Sequence, residues 1–252
     1  MIRAVVIALV LLLFGAAKAP LEHRLLEERK GLHLHAPDLT LSVREQMGQL
    51  AFVAALSGFR SLVADLLFIQ AHTAWERTEW SRVLLLLQQV TTLQPRSILF
   101  WDIAAWHMAW NASAAAINNP DEPRLTLRVK AQREYFDLGR DFLERGIRNN
   151  PDKPELYEAL ARLYREKYHD HEHAAEFYAK AAEQAGAPVY MRRFSAYELS
   201  YCEGREREAY DRLHGLYEEG IRERLPTLIK RLKFLEEKLN IPSDQRIPDR
   251  AG

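Results

Sequence analysis

Apolar residues in the second half of the chain recur at i, i+3, i+4 and i+7, and the pattern returns about 35 residues later. One copy comprises Tyr157, Leu160, Ala161, Tyr164, Ala174, Tyr178 and Ala181, and the same positions of the next copy hold Arg192, Ser195, Ala196, Leu199, Ala209, Leu213 and Leu216. The second half of the copy repeats well and the first half repeats imperfectly. This spacing predicts helices that are buried on one face. Polar stretches at 168–171 and 202–205 predict the turns between the two helices of each copy.

Two earlier copies of the pattern precede these, each ending at a proline. The first comprises Leu67, Ala71, Trp80, Val83, Leu87 and Val90 before Pro95, and the second comprises Trp101, Ala104, Ala105, Met108, Gly139, Leu143 and Gly146 before Pro151. The second copy is longer than the period of about 35 residues, which predicts an insertion at about 111–130. Residues 225–239 predict a capping helix. Because one hairpin cannot bury its own apolar stripe, the copies are expected to stack.

The positions that these residues occupy within each copy, which we call slots, resemble those of the tetratricopeptide repeat. In that repeat, small residues let the two helices of a hairpin approach closely. The small residues in these slots are Ala71, Ala105, Ala161 and Ala196. The resemblance implies an all-α fold, a right-handed superhelix of paired helices with a concave groove lined by the first helix of each pair. The alternative interpretation is a generic helical bundle whose period is accidental.

A narrower resemblance rests on Ser57–Ile69 and Val90–Pro95. Together these segments resemble a group of bacterial membrane-anchored tetratricopeptide proteins, although Phe68 stands where that group often has tryptophan. The resemblance implies a protein of the cell envelope. It implies no chemistry for individual residues.

The N-terminus carries an uninterrupted apolar run, Ala4–Ala17, behind the single cation Arg3. Such a run is typical of an export signal or a slightly short membrane anchor. We therefore predict a signal peptide or anchor at 1–20, a leader at 21–48, the repeat domain at 49–240 and a tail at 241–252. The predicted location is the inner membrane with a periplasmic domain, or the periplasm itself.

Composition narrows the function classes. With 35 Lys+Arg against 35 Asp+Glu the formal net charge is zero, which argues against nucleic-acid binding. The single cysteine, Cys202, allows neither an intrachain disulfide nor a cysteine zinc site. The chain carries no phosphate-binding glycine loop, no nucleophile elbow and no His-Glu-x-x-His motif. We therefore expect no enzyme activity, no cofactor, no metal site and no small-molecule substrate.

The groove slots of the first helices define the candidate binding residues. They are Asp65, Phe68, His72, Trp75, Asp102, Trp106, Trp110, Arg162, Arg165, Tyr190, Arg193, Tyr197 and Tyr201. Aromatic side chains supply anchor area for a peptide, and arginines supply charge-assisted hydrogen bonds. For the tryptophans at 75, 106 and 110, the alternative interpretation is packing within the core.

Two further groups of polar residues have competing interpretations. Arg60 and Asp65 stand in a segment with few charges, so each is expected to pair across helices or to meet a charged ligand. The segment His169–His173 contains three imidazoles and could bind a metal, but its position in a turn favours ordinary solvated residues.

These observations predict a membrane-anchored scaffold outside the cytoplasm that binds a peptide segment or a partner protein in its groove. One alternative is a structural subunit of an envelope complex, whose permanent interface is the sparsely charged stretch 51–119. The other is an enzyme subunit of envelope metabolism that uses Asp65, His72, Asp102 and His107.

Overall fold

Helices form the regular secondary structure of residues 59–248, the part of the chain that the computed structural model describes. The α-helices are α1 Arg60–Glu76, α2 Trp80–Leu93, α3 Ile98–Trp106, α4 Ser113–Ile117, α5 Leu125–Asn149, α6 Pro154–Leu163, α7 His171–Ala182, α8 Tyr190–Leu199, α9 Glu206–Glu218 and α10 Pro226–Lys238. Two π-helical turns, His107–Ala112 and Tyr164–Tyr168, follow α3 and α6, and Ser243–Gln245 forms a 3₁₀ turn. No strand occurs in this range, so the predicted all-α class is confirmed.

The predicted signal or anchor at 1–20 and the predicted leader at 21–48 lie outside the described residues. Among the helices of residues 59–248, none combines the length and the apolar character needed to cross a membrane.

The predicted turns fall where helices end. The π turn after α6 ends at Tyr168 and α7 begins at His171, while α8 ends at Leu199 and α9 begins at Glu206. Asp170 caps α7, because its carboxylate accepts the backbone N–H of His173 at 3.0 Å. The polar stretches therefore end one helix and start the next.

The second hairpin is long because the expected insertion is mostly helical. The π turn and α4 carry the first helix on to Ile117, and α5 begins at Leu125. Only the segment 118–124, with Pro120 and Pro123, lies outside a helix. The extra residues at 111–130 therefore lengthen both helices and leave a short connection between them.

The small residues predicted at helix contacts are buried. Ala71, Ala105, Ala161 and Ala196 are each at most 3% exposed. Around them lie two clusters of buried side chains, which we call the first core, between Ala64 and Leu163, and the second core, between Ala175 and Ile247.

Substantial contacts between helices join elements that are close along the chain. The order of packing runs from α1 to α2, α2 to α3, α3 to α5, α5 to α6, and onward from α6 through α7, α8 and α9 to α10. Additional contacts join α3 to α6 and α8 to α10. The first helices of successive hairpins, α1, α3, α6 and α8, are called the A helices below.

Candidate functional site

None of the thirteen predicted groove residues belongs to the buried core. Asp65, His72, Trp106 and Tyr201 are exposed, and the other nine are partly exposed. By contrast, Trp101, predicted as a core residue, is 1% exposed. Phe68, Trp75 and Trp110 pack against the first core and Tyr197 packs against the second, so these four side chains are partly packing residues. We call the thirteen residues together the A-helix surface.

Aromatic contacts join the A-helix surface of α1 to α3. The rings of Phe68 and Phe100 lie 5.2 Å apart. The ring of His107 lies 5.4 Å from Trp75 and 5.2 Å from Trp106. A histidine at the start of the π turn therefore sits between two predicted groove tryptophans.

Charged and aromatic contacts join α3 to α6. The Arg162 guanidinium lies 3.7 Å from the Asp102 carboxylate and 5.6 Å from the ring centre of Trp110. The Trp110 indole N–H donates to Glu166 at 3.2 Å. Burial raises the pKa of Asp102 above its ordinary value, and the positive charge of Arg162 opposes that rise.

Hydrogen bonds and ion pairs join α6 to α8. The Tyr190 hydroxyl donates to both carboxylate oxygens of Glu158, at 3.1 and 3.0 Å. Glu198, which is 5% exposed, lies 3.8 Å from Arg165 and 2.7 Å from His171 Nδ1. The buried carboxylate of α8 is therefore matched by positively charged or donor groups from the π turn after α6 and from α7.

The last predicted groove residues contact the C-terminal elements. Arg193 donates to Glu223 at 2.6 Å, in a pair with little solvent exposure. Tyr197 has a buried hydroxyl without a hydrogen-bond partner, and burial raises its pKa. Tyr201 lies under the guanidinium of Arg231, 4.0 Å from its ring centre. Arg193 and Arg231 are engaged within the protein, and the exposed residues of the surface are Asp65, His72, Trp106 and Tyr201.

An open hollow of about 660 Å³ lies at the end of α1. Its lining comprises Trp75, Glu76, Thr78, Trp80, Asn111 and Ala114. Trp75 belongs to the predicted groove, whereas Asn111 and Ala114 fell in the predicted insertion and therefore had no slot. Trp80, predicted for the core, is partly exposed and lines the hollow. No signal in the sequence indicated that these residues converge.

His107 is a buried histidine beside this hollow, with 8% of its surface exposed. The Asn111 amide nitrogen lies 3.2 Å from its Nδ1, so Nδ1 accepts and Nε2 carries the proton. Burial, followed by the positive charge of His72, lowers the pKa of His107 to about 4. The ring is therefore neutral at pH 7.

The expectation of ion-pair partners for Arg60 and Asp65 is wrong for the described part of the chain. Both side chains are exposed, and neither forms an ion pair within residues 59–248.

The three histidines of the 169–173 segment have separate partners. His171 bonds to Glu198, whereas His173 Nδ1 lies 2.6 Å from Asp170. His169 ends the π turn in the left-handed conformation, with φ of 54°. Within residues 59–248, no group of His, Cys, Asp and Glu side chains has an arrangement that could hold a metal ion.

The four polar residues of the enzyme alternative do not share one cluster of contacts. The ring of Trp75 contacts both His72, at 5.1 Å, and His107. Asp102 instead faces Arg162, and Asp65 is exposed on α1.

Comparison of the chain with protein-family models and with curated proteins finds no match.

Proposed function

We propose that the protein is an interaction scaffold that binds a peptide segment or a partner protein on its A-helix surface. In this proposal the hairpins are tetratricopeptide-like and stack as a right-handed solenoid, and the N-terminus places the chain in a cell envelope. The ligand lies across successive A helices, held by exposed aromatic side chains.

One observation supports the proposal most directly: predicted groove residues take part in the contacts that join neighbouring A helices in chain order. Phe68 and Trp75 of α1 meet Phe100 and His107, the Arg162 of α6 meets α3, and α8 meets α6 through Tyr190 and Glu158. These contacts place the four A helices next to one another in chain order, which supports a surface shared by all four. Such a surface suits an extended ligand better than a compact one.

Trp106 is the side chain chosen for the binding test, because it lies on α3 between the other A helices and 43% of its surface is exposed. We expect peptides selected from a random twelve-residue display library against the full-length protein to bind through this indole. Trp106→Ala should weaken the selected peptides about tenfold or more. Arg162→Ala should weaken them less, since Asp102 already neutralises that cation.

Leu127→Ala is the matched control, because this side chain is 37% exposed on α5, outside the A helices. Its peptide affinity should equal that of the parent protein. Failure to select any peptide, or equal affinities for all three variants, would reject the A-helix surface as a binding site.

A second candidate function, a structural subunit of an envelope complex, is favoured by a different face of α1. Phe59, Leu62, Leu66 and Ile69 are 52–61% exposed and recur at three- and four-residue spacing. A contiguous apolar stripe of this kind is typical of a permanent protein interface. Under this alternative, Leu66→Glu should abolish the recovery of a stoichiometric partner from membranes, whereas Trp106→Ala should leave it intact.

A further inference from the structure

We propose that the hollow formed by Trp75, Glu76, Thr78, Trp80 and Asn111 binds the guanidinium group of an arginine in a partner polypeptide. The proposal deepens the scaffold function and rests on it, since the arginine belongs to the ligand of the A-helix surface. It assigns a specificity pocket to one end of that surface.

The lining of the hollow has the chemistry of a cation site. Two indole rings belong to the lining, and the π face of an indole attracts cations. Glu76 contributes a carboxylate, and the Asn111 side chain contributes an oxygen, because its nitrogen already faces His107 Nδ1. Among the lining residues there is no arginine, lysine or histidine. A planar group with several N–H donors fits this combination of faces and acceptors.

The negative charge of Glu76 is available at the hollow. Its nearest basic partner is the His72 ring at 3.6 Å, and both side chains are more than half exposed. The cation that follows nearby, Arg82, donates instead to Glu79 at 3.1 Å. Arg77 is exposed and is not part of the lining. The charge of the hollow is therefore complementary to an arriving cation.

A strained turn joins the two tryptophans that line the hollow. Thr78 has φ of 58°, a left-handed conformation that is unfavourable for a β-branched residue. The turn is fixed by the Thr78 N–H donating to the Trp75 carbonyl at 2.8 Å and the Trp80 N–H donating to the Thr78 carbonyl at 2.9 Å. Such strain is concentrated at functional sites, where surrounding structure maintains it.

Another part of the lining comes from the π turn His107–Ala112, which carries Asn111. A π turn inserts an extra residue into a helix and is frequent at functional sites. Here it positions the Asn111 amide against a histidine that burial keeps neutral. A neutral ring beside the hollow does not repel a bound cation.

The test uses the full-length protein labelled with 5-fluorotryptophan, whose five tryptophans give ¹⁹F signals assigned through Trp75→Phe and Trp80→Phe. The probe is Nα-acetyl-arginine methylamide, and the neutral control is the corresponding citrulline amide. We expect the arginine probe to move the signals of Trp75 and Trp80, and the citrulline probe to leave them in place. Glu76→Gln should weaken the arginine probe about fivefold or more. Glu183→Gln, at an exposed position after α7, should not.

Three outcomes would overturn the proposal: equal shifts with citrulline, unchanged affinity in Glu76→Gln, or shifts confined to the other tryptophans. The corresponding lysine amide carries an ammonium group in place of the guanidinium. If it bound more tightly than the arginine probe, the assignment to arginine would be contradicted. The proposal for the hollow and the proposal for the scaffold can be contradicted independently. Selected peptides whose affinity depends on Trp106 but is unchanged by Glu76→Gln would contradict only the assignment of the hollow. Binding of the arginine probe without any selected peptide would contradict only the scaffold function.

Discussion

His107 shows how one side chain can link burial, hydrogen bonding and pH. Its Nδ1 accepts from Asn111, and its ring contacts Trp75 and Trp106. Protonation would place a charge where little water reaches it and beside the His72 imidazole. The ring therefore ties the stability of the α1–α3 contact to pH.

We predict that the free energy of unfolding falls by about 2 kcal/mol as the pH drops from about 6.5 to about 4. In this window the unfolded chain binds a proton at position 107 and the folded chain does not, so acid favours unfolding. His107→Asn retains an acceptor for Asn111 and should remove this part of the pH dependence. Urea unfolding followed by circular dichroism at several pH values measures it.

His214→Gln is the control, because this partly exposed histidine lies on α9, away from the hollow. It should keep the full pH dependence. An unaltered pH profile in His107→Asn would show that other groups cause the acid sensitivity.

At this scale the sequence predicted which side chains are buried better than it predicted what they contact. Slot positions distinguished Trp101, 1% exposed, from Trp106, 43% exposed. The pairings of predicted groove residues with Glu158, Glu198 and Glu223 were not predicted, because each partner comes from a neighbouring element and no spacing within the chain encodes such a contact.

At the scale of elements, α3 and α5 approach so closely that two positions on α5 accept only glycine. A Cβ atom at Gly139 would lie 2.7 Å from the Ala109 Cβ, and one at Gly146 would lie 2.9 Å from Trp101. These glycines occupy slots where the repeat pattern calls for small residues. Close packing of the second hairpin therefore depends on the absence of a side chain at these two glycines.

We predict that Gly139→Ala and Gly146→Ala each lower the free energy of unfolding by about 1–3 kcal/mol, because the helices must separate to admit a methyl group. Thermal and urea unfolding measure the loss.

Gly215→Ala on α9 is the matched control, since a Cβ there meets nothing within 4 Å. Alanine should stabilise that helix by up to about 1 kcal/mol. Equal effects at all three glycines would mean that helix propensity, and not close approach, governs these positions.

The helices and most turns could be predicted from apolar spacing, but the two π turns could not. A π turn shifts the helical register by one residue while the side chains keep an ordinary helical pattern. Asn111 therefore had no slot, and the hollow that it lines was not predicted. The extension of α3 through α4 was assigned to an insertion for the same reason.

On the scale of the whole described region, the two cores belong to different stretches of chain. The first core lies between Ala64 and Leu163, and the second lies between Ala175 and Ile247. Substantial helix contacts join neighbours along the chain. Regions packed in this way are expected to open separately.

We predict that Leu232→Ala, a change at a fully buried position of the second core, speeds amide hydrogen exchange in α8–α10 and leaves α1–α3 unchanged. Leu87→Ala, in the first core, should do the reverse. Hydrogen exchange followed by mass spectrometry resolves the two regions. A uniform increase across all helices in either variant would indicate one cooperative unit.

The order of the hairpins followed from the repeat period, because local pairing needs no information from distant residues. The curvature of the proposed solenoid would depend on small rotations between hairpins, and the choice of the proposed partner would depend on surfaces outside the chain. Neither leaves a periodic signature. These properties therefore stay predictions that the binding and exchange experiments address.

Packing in chain order also affects how such a protein can change during evolution. Duplication or deletion of one complete hairpin would preserve most of the contacts inside the remaining hairpins and create a single new junction. The α3–α5 pair would be difficult to exchange, because a Cβ atom at either of its glycines would collide with Ala109 or Trp101. We therefore expect lineages to gain and lose hairpins after residue 151 more readily than before it.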